Sequence, residues 1–144
     1  MAPVRFIEKA FRQWLRPASS EAAHIRLGRE GEDGAVRFLR ARGYKILRRN
    51  FRAPGGGEVD IVCRHGDVLV FVEVKTRETE DFGRPLDAVN PKKKRLIIRG
   101  AMRWLRLLDR TDIHIRFDVI EIVHSPAYEI RLIENAFQLP DNYL

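Results

Sequence analysis

The sequence predicts an α/β domain in which helices flank a mixed central β-sheet. Two observations predict it. The run Val68–Val72 is continuously apolar, as is typical of a strand buried on both faces of a sheet. Along the chain, helical and strand periodicities follow the order helix, three strands, helix, two strands. This order implies a sheet with helices packed on it, and 144 residues are enough to enclose one such core.

Two helices are predicted within the domain. The first runs from about Glu21 to Arg42, and Gly43 ends it because glycine accepts the left-handed conformation that closes many helices. The second runs from about Pro91 to Leu108, and its proline suits the first turn, where no backbone N–H is needed.

Five strands are predicted, each bounded by turn-forming residues. Gly66 and Asp67 form a two-residue turn between the second and third strands, and residues 77–90 form a polar loop. The strands span about Tyr44–Phe51, Gly57–Val62, Val68–Thr76, Ile113–Val123 and Tyr128–Ile133.

Residues 1–20 are interpreted as an N-terminal leader and residues 21–144 as the domain. Apolar residues from Val4 to Leu15 recur at helical spacing among basic residues, which predicts a short amphipathic helix. Two interpretations stay open for the leader: it packs on the domain, or it docks on a membrane surface, DNA or a partner protein.

Composition narrows the class of protein. Hydrophobic residues make up 44% of the chain and charged residues 33%, which indicates a globular rather than a disordered protein. No apolar run approaches the length of a membrane span, so we expect no integral membrane association and a cytoplasmic location. Cys63 is the single cysteine, which excludes an internal disulfide and a multi-cysteine zinc site. The net charge of +7 favours a polyanionic partner such as nucleic acid.

Charged residues interrupt the second and third strands at neighbouring positions. With the two-residue turn, Asp60 lies directly opposite Glu73, and Glu58 lies opposite Lys75. Because side chains alternate along a strand, we expect all four on one face. A carboxylate in a strand as apolar as that of Glu73 is costly unless it is paired or holds a metal. The cluster is therefore either a metal site or a ladder of ion pairs across the strands.

The metal interpretation gives each group a role. A divalent cation such as Mg²⁺ prefers oxygen ligands and keeps several waters, so Asp60 and Glu73 with the Val74 carbonyl would suffice. The ion would polarise a scissile phosphate and help to generate hydroxide. Lys75 would orient the attacking water or stabilise charge in the transition state. The arrangement suits metal-assisted cleavage of phosphodiester bonds.

The first helix supplies one further acid. Helical spacing puts Glu32 on the inward stripe with Gly28, Gly31 and Ala35, while Glu30 points away. Glu32 either reaches the metal site or lies at the edge of the stripe with its carboxylate turned outward. The spacing does not decide between these interpretations.

The second helix carries a basic stripe with no acid between Lys92 and Leu108. Such a stripe can track a phosphate backbone through contacts that do not depend on base sequence, and the alternative is an ordinary solvated helix face. The lysines at its start would also reach the acidic face. The basic residues are Lys92, Lys93, Lys94, Arg95, Arg99, Arg103, Arg106 and Arg110.

The order of Asp60 and then Glu73-Val74-Lys75 on the adjacent strand resembles the hallmark of the PD-(D/E)xK nuclease superfamily, although Val59 stands where that superfamily has proline. The chain looks more closely like the YraN-like family of small bacterial proteins. This resemblance covers about residues 22–123, and its blocks are specific when taken together. They are Leu27-Gly28-x-x-Gly31-Glu32-x-x-Ala35, Gly43-Tyr44-x-Ile46-Leu47-x-x-Asn50-Phe51-Arg52, Gly57–Val62, Val70–Arg77, Asp87–Val89 with Lys92–Arg95, and Arg116–Val119.

The resemblance implies a restriction-endonuclease-like core, similar to Holliday-junction resolvases. It implies Asp60 and Glu73 as ligands of Mg²⁺ or Mn²⁺, Lys75 as the catalytic lysine and Glu32 as the helix acid. Glu58 belongs to the Gly-Glu-x-Asp block of the family and is placed with the catalytic group without a specific role.

The functional hypothesis is a metal-dependent, structure-selective nuclease that acts on DNA, with RNA as a further candidate substrate. A homodimer would suit cleavage of a branched junction. The first alternative is a non-catalytic nucleic-acid-binding module that uses the second helix. The second alternative is an interaction protein that docks through its leader.

Overall fold

The computed structural model describes residues 20–78, 89–109 and 112–141, and for residues 20–27 the backbone only. Two helices and five strands follow one another in the predicted order. The predicted leader up to residue 19 and most of the predicted polar loop lie outside the described residues. The elements are α1 (Ser20–Ala41), β1 (Lys45–Arg52), β2 (Glu58–His65), β3 (Val68–Arg77), α2 (Pro91–Leu108), β4 (His114–Val123) and β5 (Glu129–Phe137).

The five strands form one mixed sheet in the order β1-β2-β3-β4-β5. β3 and β4 run parallel, whereas the other neighbouring pairs are antiparallel. A parallel pair needs a long crossover connection, and α2 lies within it. This architecture confirms the predicted α/β fold and agrees with a restriction-endonuclease-like core. Among the described residues, no helix is long and apolar enough to cross a membrane.

The central strand β3 separates two hydrophobic cores. Leu69 and Phe71 belong to the core beneath α2, whereas Val70 and Val72 belong to the core beneath α1. All four side chains are buried. The prediction of a strand buried on both faces is therefore confirmed, and the two helices lie on opposite faces of the sheet.

β1 forms one edge of the sheet, and its exposed surface is basic. Lys45, Arg48, Arg49 and Arg52 are all exposed, whereas Phe51 packs into the core beneath α2. The core therefore anchors this strand near its end, and most of its length faces solvent.

The alternation of side chains breaks at Asp60 on β2. Val59 packs in the core beneath α2, but Ile61 packs in the core beneath α1, although strict alternation would put both on one face. Asn50 lies opposite Asp60, between two regularly paired positions, and adopts a left-handed φ of 51°. Asp60 therefore lies where the strand changes face. The four charged side chains of β2 and β3 do not share one face through regular alternation, as was predicted.

Arg116 and Asp118 form an ion pair on β4. Arg116 donates from Nε to Oδ1 of Asp118 over 2.8 Å and from Nη2 to Oδ2 over 2.9 Å. Asp118 is fully buried, and its Oδ1 also accepts from the backbone N–H of Asn135 over 2.9 Å. The pair thus joins β4 to β5 and serves the fold.

A close approach between α2 and the turn before β2 fixes the start of β2. Gly57 has a φ of 105°, and a Cβ there would lie 2.6 Å from the backbone nitrogen of Gly100 on α2. A Cβ on Gly100 would in turn lie 2.9 Å from Cγ2 of Val59. Only glycine fits at this crossing. The contact sets how closely α2 approaches Glu58 and Asp60.

We expect Gly57→Ala to lower the free energy of unfolding by about 3 kcal/mol, because steric overlap with α2 adds to left-handed backbone strain. Gly43→Ala is the matched control. Gly43 has a φ of 83°, but a Cβ there would meet nothing within 4 Å, so we expect a loss of only about 1 kcal/mol. Urea unfolding followed by circular dichroism measures both, and equal losses would contradict the role of the crossing.

Candidate active site

Asp60 and Glu73 meet at the end of the β2–β3 ladder. The last regular pair is Ile61 with Val72, so the next opposed position brings Asp60 beside Glu73, as predicted. Oδ2 of Asp60 accepts a hydrogen bond of 2.8 Å from the backbone N–H of Val74, which fixes the carboxylate against β3. Glu73 is only 2% exposed, and its Oε2 is buried with no hydrogen-bond partner.

The surroundings of Glu73 disfavour its charge. Burial raises the pKa of its carboxyl to about 8, and the neighbouring Asp60 carboxylate raises it further. The ammonium groups of Lys93 and Lys75 act in the opposite direction without overcoming the burial. An acid pair with one member held protonated near neutral pH is typical of a functional site.

Lys93 on α2 belongs to the acidic cluster. Its Nζ lies 2.8 Å from Oε1 of Glu58 and 3.4 Å from Oε1 of Glu73. Burial works against its charge, but the hydrogen bond to Glu58 and the nearby carboxylates outweigh this and raise the pKa of Lys93. The hydrogen bond from Lys93 lowers the pKa of Glu58. Lys75 lies 3.5 Å from Oε1 of Glu73, so the predicted Glu58–Lys75 ladder is replaced by pairs that use Lys93.

The sequence contained a signal for this position of Lys93. Asn90 caps α2 by accepting from the backbone N–H of Lys93 over 2.9 Å, so Lys93 lies in the first turn. From there, helical spacing places it above Ile97 and Gly100, both of which are buried. The expectation that lysines at the start of this helix reach the acidic face is confirmed for Lys93, which was also grouped with the phosphate-binding residues because its neighbours are basic.

Glu32 faces inward as expected but already has partners. Its Oε1 accepts from Nε of Arg49 over 3.2 Å and from Nδ2 of Asn50 over 2.9 Å. It lines a cleft of about 580 Å³ that also contains Asp60 and Lys75. The structure therefore brings Glu32 to the same cleft as Asp60, while hydrogen bonds from β1 hold the Glu32 carboxylate. The cleft is lined by Gly28, Arg29, Glu32, Asn50, Arg52, Asp60, Val74, Lys75 and Thr76.

The basic stripe of α2 lies on the outer side of that helix. Lys92, Arg95 and Arg99 are exposed, and Lys94 and Arg103 are half-buried. Arg110 lies outside the described residues. The stripe is therefore accessible to a large polyanion, while Lys93 alone of the three lysines at its start turns into the acidic cluster.

The donor set fits a small divalent cation. In the part of the chain that the structure describes, no three Asp, Glu, His or Cys side chains converge as a metal site. Mg²⁺, however, is commonly bound by one or two carboxylates and several waters. Asp60 and Glu73 supply two adjacent carboxylates, and Oε2 of Glu73 is buried with no hydrogen-bond partner. A cation here would favour the ionised form of both acids.

Comparison with known proteins identifies relatives over most of the chain. The model of a family described as "Uncharacterised protein family UPF0102" matches residues 31–122. The UPF0102 protein GSU0650 of Geobacter sulfurreducens is 51% identical over 115 residues, which cover 78% of this chain and 89% of that protein. A UPF0102 protein of Caldicellulosiruptor saccharolyticus is 44% identical over 114 residues, covering 77% and 96%. One of Rhodococcus opacus is 43% identical over 118 residues, covering 81% and 99%.

We expect the metal-free protein to lose stability between about pH 5 and pH 8. The folded state keeps the proton of Glu73 up to a pKa of about 8, whereas the unfolded chain releases it at the ordinary glutamate pKa of 4.5. The free energy of unfolding should therefore fall by up to about 1.4 kcal/mol per pH unit in this window. Thermal or urea unfolding in EDTA across the window measures it.

Glu73→Gln keeps the shape of the side chain but has no proton to release, so its stability should depend far less on pH. Glu30→Gln, which removes an exposed acid on α1, controls for the loss of one carboxyl and should keep the slope of the native chain. An unchanged slope in Glu73→Gln would contradict the burial of an ionisable group at this position.

Proposed function

The chain belongs to the UPF0102 family, a YraN-like, PD-(D/E)xK nuclease-like group, and from the geometry of its acidic cluster we propose that it is a metal-dependent nuclease that hydrolyses phosphodiester bonds in DNA. The observation that carries the proposal is Glu73. A carboxylate at the centre of a sheet, with one oxygen unpartnered and a second acid beside it, is costly for the fold. Such a cost is typical of a group retained for chemistry.

Asp60 and Glu73 are the residues that would hold Mg²⁺ or Mn²⁺. A bound ion of this kind supplies Lewis acidity toward a phosphate oxygen and a water of lowered pKa. Glu32 lines the same cleft, and its bonds to Arg49 and Asn50 keep it in place as the outermost acid of the set.

Lys75 and Lys93 have different roles in the proposed site. Lys75 lines the cleft and lies 3.5 Å from Glu73, so its ammonium can donate to a phosphate oxygen or to the attacking water in that space. Lys93 contacts Glu58 and Glu73 from α2. It offsets the repulsion that three neighbouring carboxylates would exert on an approaching phosphodiester, and acts as a positioning residue.

The basic outer surface of α2 supports nucleic acid as the substrate class. Arg95 and Arg99 are exposed there. The first turn of the same helix contacts the acidic cluster through Lys93. Phosphate contacts of this kind position a duplex without reading its sequence. DNA is the proposed substrate, and RNA is tested beside it.

A non-catalytic nucleic-acid-binding module is the second candidate, and the partners of Glu32 favour it. Glu32 is bonded to Arg49 and Asn50, and Glu58 is bonded to Lys93. Asp60 and Glu73 are then the two acids of the cluster that remain for a cation. In that case the basic surface of α2 binds nucleic acid, and the acidic cluster serves only the fold.

The test is cleavage of labelled duplex, four-way-junction, flap and single-stranded DNA, and of RNA, with Mg²⁺, Mn²⁺ or EDTA. We expect product only with metal. Glu73→Gln and Lys75→Gln should each lower the rate by about 10²-fold or more, because each removes a group that acts on the transition state. Glu30→Gln and Arg40→Gln are the matched exposed controls. Salt-sensitive binding without product from any substrate would favour the binding module instead.

A further variant tests the role of Lys93. Lys93 lowers the pKa of Glu73, so Lys93→Gln should raise it and shift the acidic limb of the pH–rate profile to higher pH. Lys92→Gln removes the neighbouring exposed lysine and should leave that limb in place. A lower rate in Lys93→Gln with an unchanged pH profile would contradict the positioning role.

A further inference from the structure

A second cleft lies on the other side of the Gly57–Gly100 crossing from the acidic cluster. It has a volume of about 520 Å³ and is bounded by the turn before β2 and by the outer side of α2. Its lining contains three arginines and no acid. The lining residues are Pro54, Gly55, Gly56, Arg99, Met102, Arg103 and Arg106.

The three arginines have no acidic partner in the part of the chain that the structure describes. Arg99 and Arg106 are exposed, and Nε of Arg103 is buried with no hydrogen-bond partner. A buried donor without an acceptor is costly and calls for one. Apart from the arginines, the cleft is lined by Pro54, Met102 and two glycines, none of which carries a negative charge. An anion is therefore the acceptor that suits the three guanidinium groups best.

The glycine turn shapes this cleft rather than binding the anion with its backbone. Gly56 has a φ of 107°, and a Cβ there would lie 3.4 Å from Nη1 of Arg99. The turn thus lets the guanidinium lie close against the chain. The N–H of Gly56 is already used, because it donates to the carbonyl of Ala53 over 3.1 Å. The arginine side chains are therefore the donors that would bind an anion in this cleft.

We infer that this arginine cleft is a second phosphate-binding site. It binds the backbone of the nucleic acid at a distance from the acidic cluster. This inference rests on the proposed function only for the position of the scissile bond. Both sites lie on α2, because Lys93 contacts the acids and Arg99, Arg103 and Arg106 line the cleft. Planar guanidinium groups suit phosphate oxygens better than ammonium groups do.

The helix sets the distance between the two sites. Lys93 and Arg106 lie thirteen residues apart on one α-helix, which is about 20 Å at about 1.5 Å per residue. A B-form duplex that follows α2 covers that distance in about six base pairs at about 3.4 Å each. The cleft therefore selects substrates that continue as duplex for about six base pairs on one side of the acidic cluster.

The test measures binding of the full chain in EDTA, by fluorescence anisotropy of a labelled duplex across a range of salt concentrations. Arg99→Gln/Arg106→Gln is compared with Arg37→Gln/Arg40→Gln, which removes two exposed arginines from α1 on the opposite face. We expect the first variant to bind roughly tenfold more weakly and its salt slope to fall by about 2, because two phosphate contacts are lost. The control should bind as the native chain does.

Shortening the duplex supplies the second measurement. With flanks shorter than about six base pairs on both sides, the native chain should bind no better than Arg99→Gln/Arg106→Gln. Equal affinities and salt slopes for the two double variants on a long duplex would overturn the inference. So would a loss of binding to anionic lipid vesicles with binding to DNA unchanged, which would assign the cleft to a lipid surface.

The outcomes separate this inference from the proposed function. Binding that depends on Arg99 and Arg106 without cleavage of any substrate would uphold the phosphate site and remove the nuclease. Cleavage that depends on Glu73 but not on the two arginines would do the reverse. Thermal unfolding of both double variants checks that each is folded.

Discussion

The burial of Glu73 in the central strand is the constraint on which the rest of the site depends. A carboxyl group that is 2% exposed has lost almost all of its hydration, and nearby positive charge offsets only part of that loss. The structure provides that charge from two elements, Lys75 on β3 and Lys93 on α2. The position of α2 therefore affects the charge state of Glu73 on β3, because α2 carries Lys93. Packing at the Gly57–Gly100 crossing and electrostatics at the acids thus reinforce each other.

Much of the fold was predictable because local signals determine it. Asn90 and Pro91 fix the start of α2 as a cap and a first-turn proline, and the helix has the predicted bounds. The turn at Gly66 sets the register that brings Asp60 beside Glu73, and this pairing follows from two residues of turn chemistry. The alternation and length of apolar runs were sufficient for the order of the elements and for the burial of β3.

The remainder depends on contacts between distant segments. The change of face at Asp60 accompanies a left-handed residue on another strand, Asn50, whose conformation no spacing within β2 reveals. The spacing of residues along α1 predicted that Glu32 faces inward. Its hydrogen-bond partners could not be predicted in this way, because they come from β1 and depend on how β1 packs against α1. The arginine cleft forms where α2 packs against a glycine turn that precedes it by some forty residues. The sequence shows the glycine turn and the basic helix as separate patterns, and only the packing brings them together.

The basic surface of β1 has a consequence for self-association. An edge strand exposes unpaired backbone groups, and these invite a second chain to extend the sheet. Along β1, however, Lys45, Arg48, Arg49 and Arg52 are exposed, and two copies aligned edge to edge would place like charges opposite one another. This run of like charge disfavours continuous intermolecular sheets through β1.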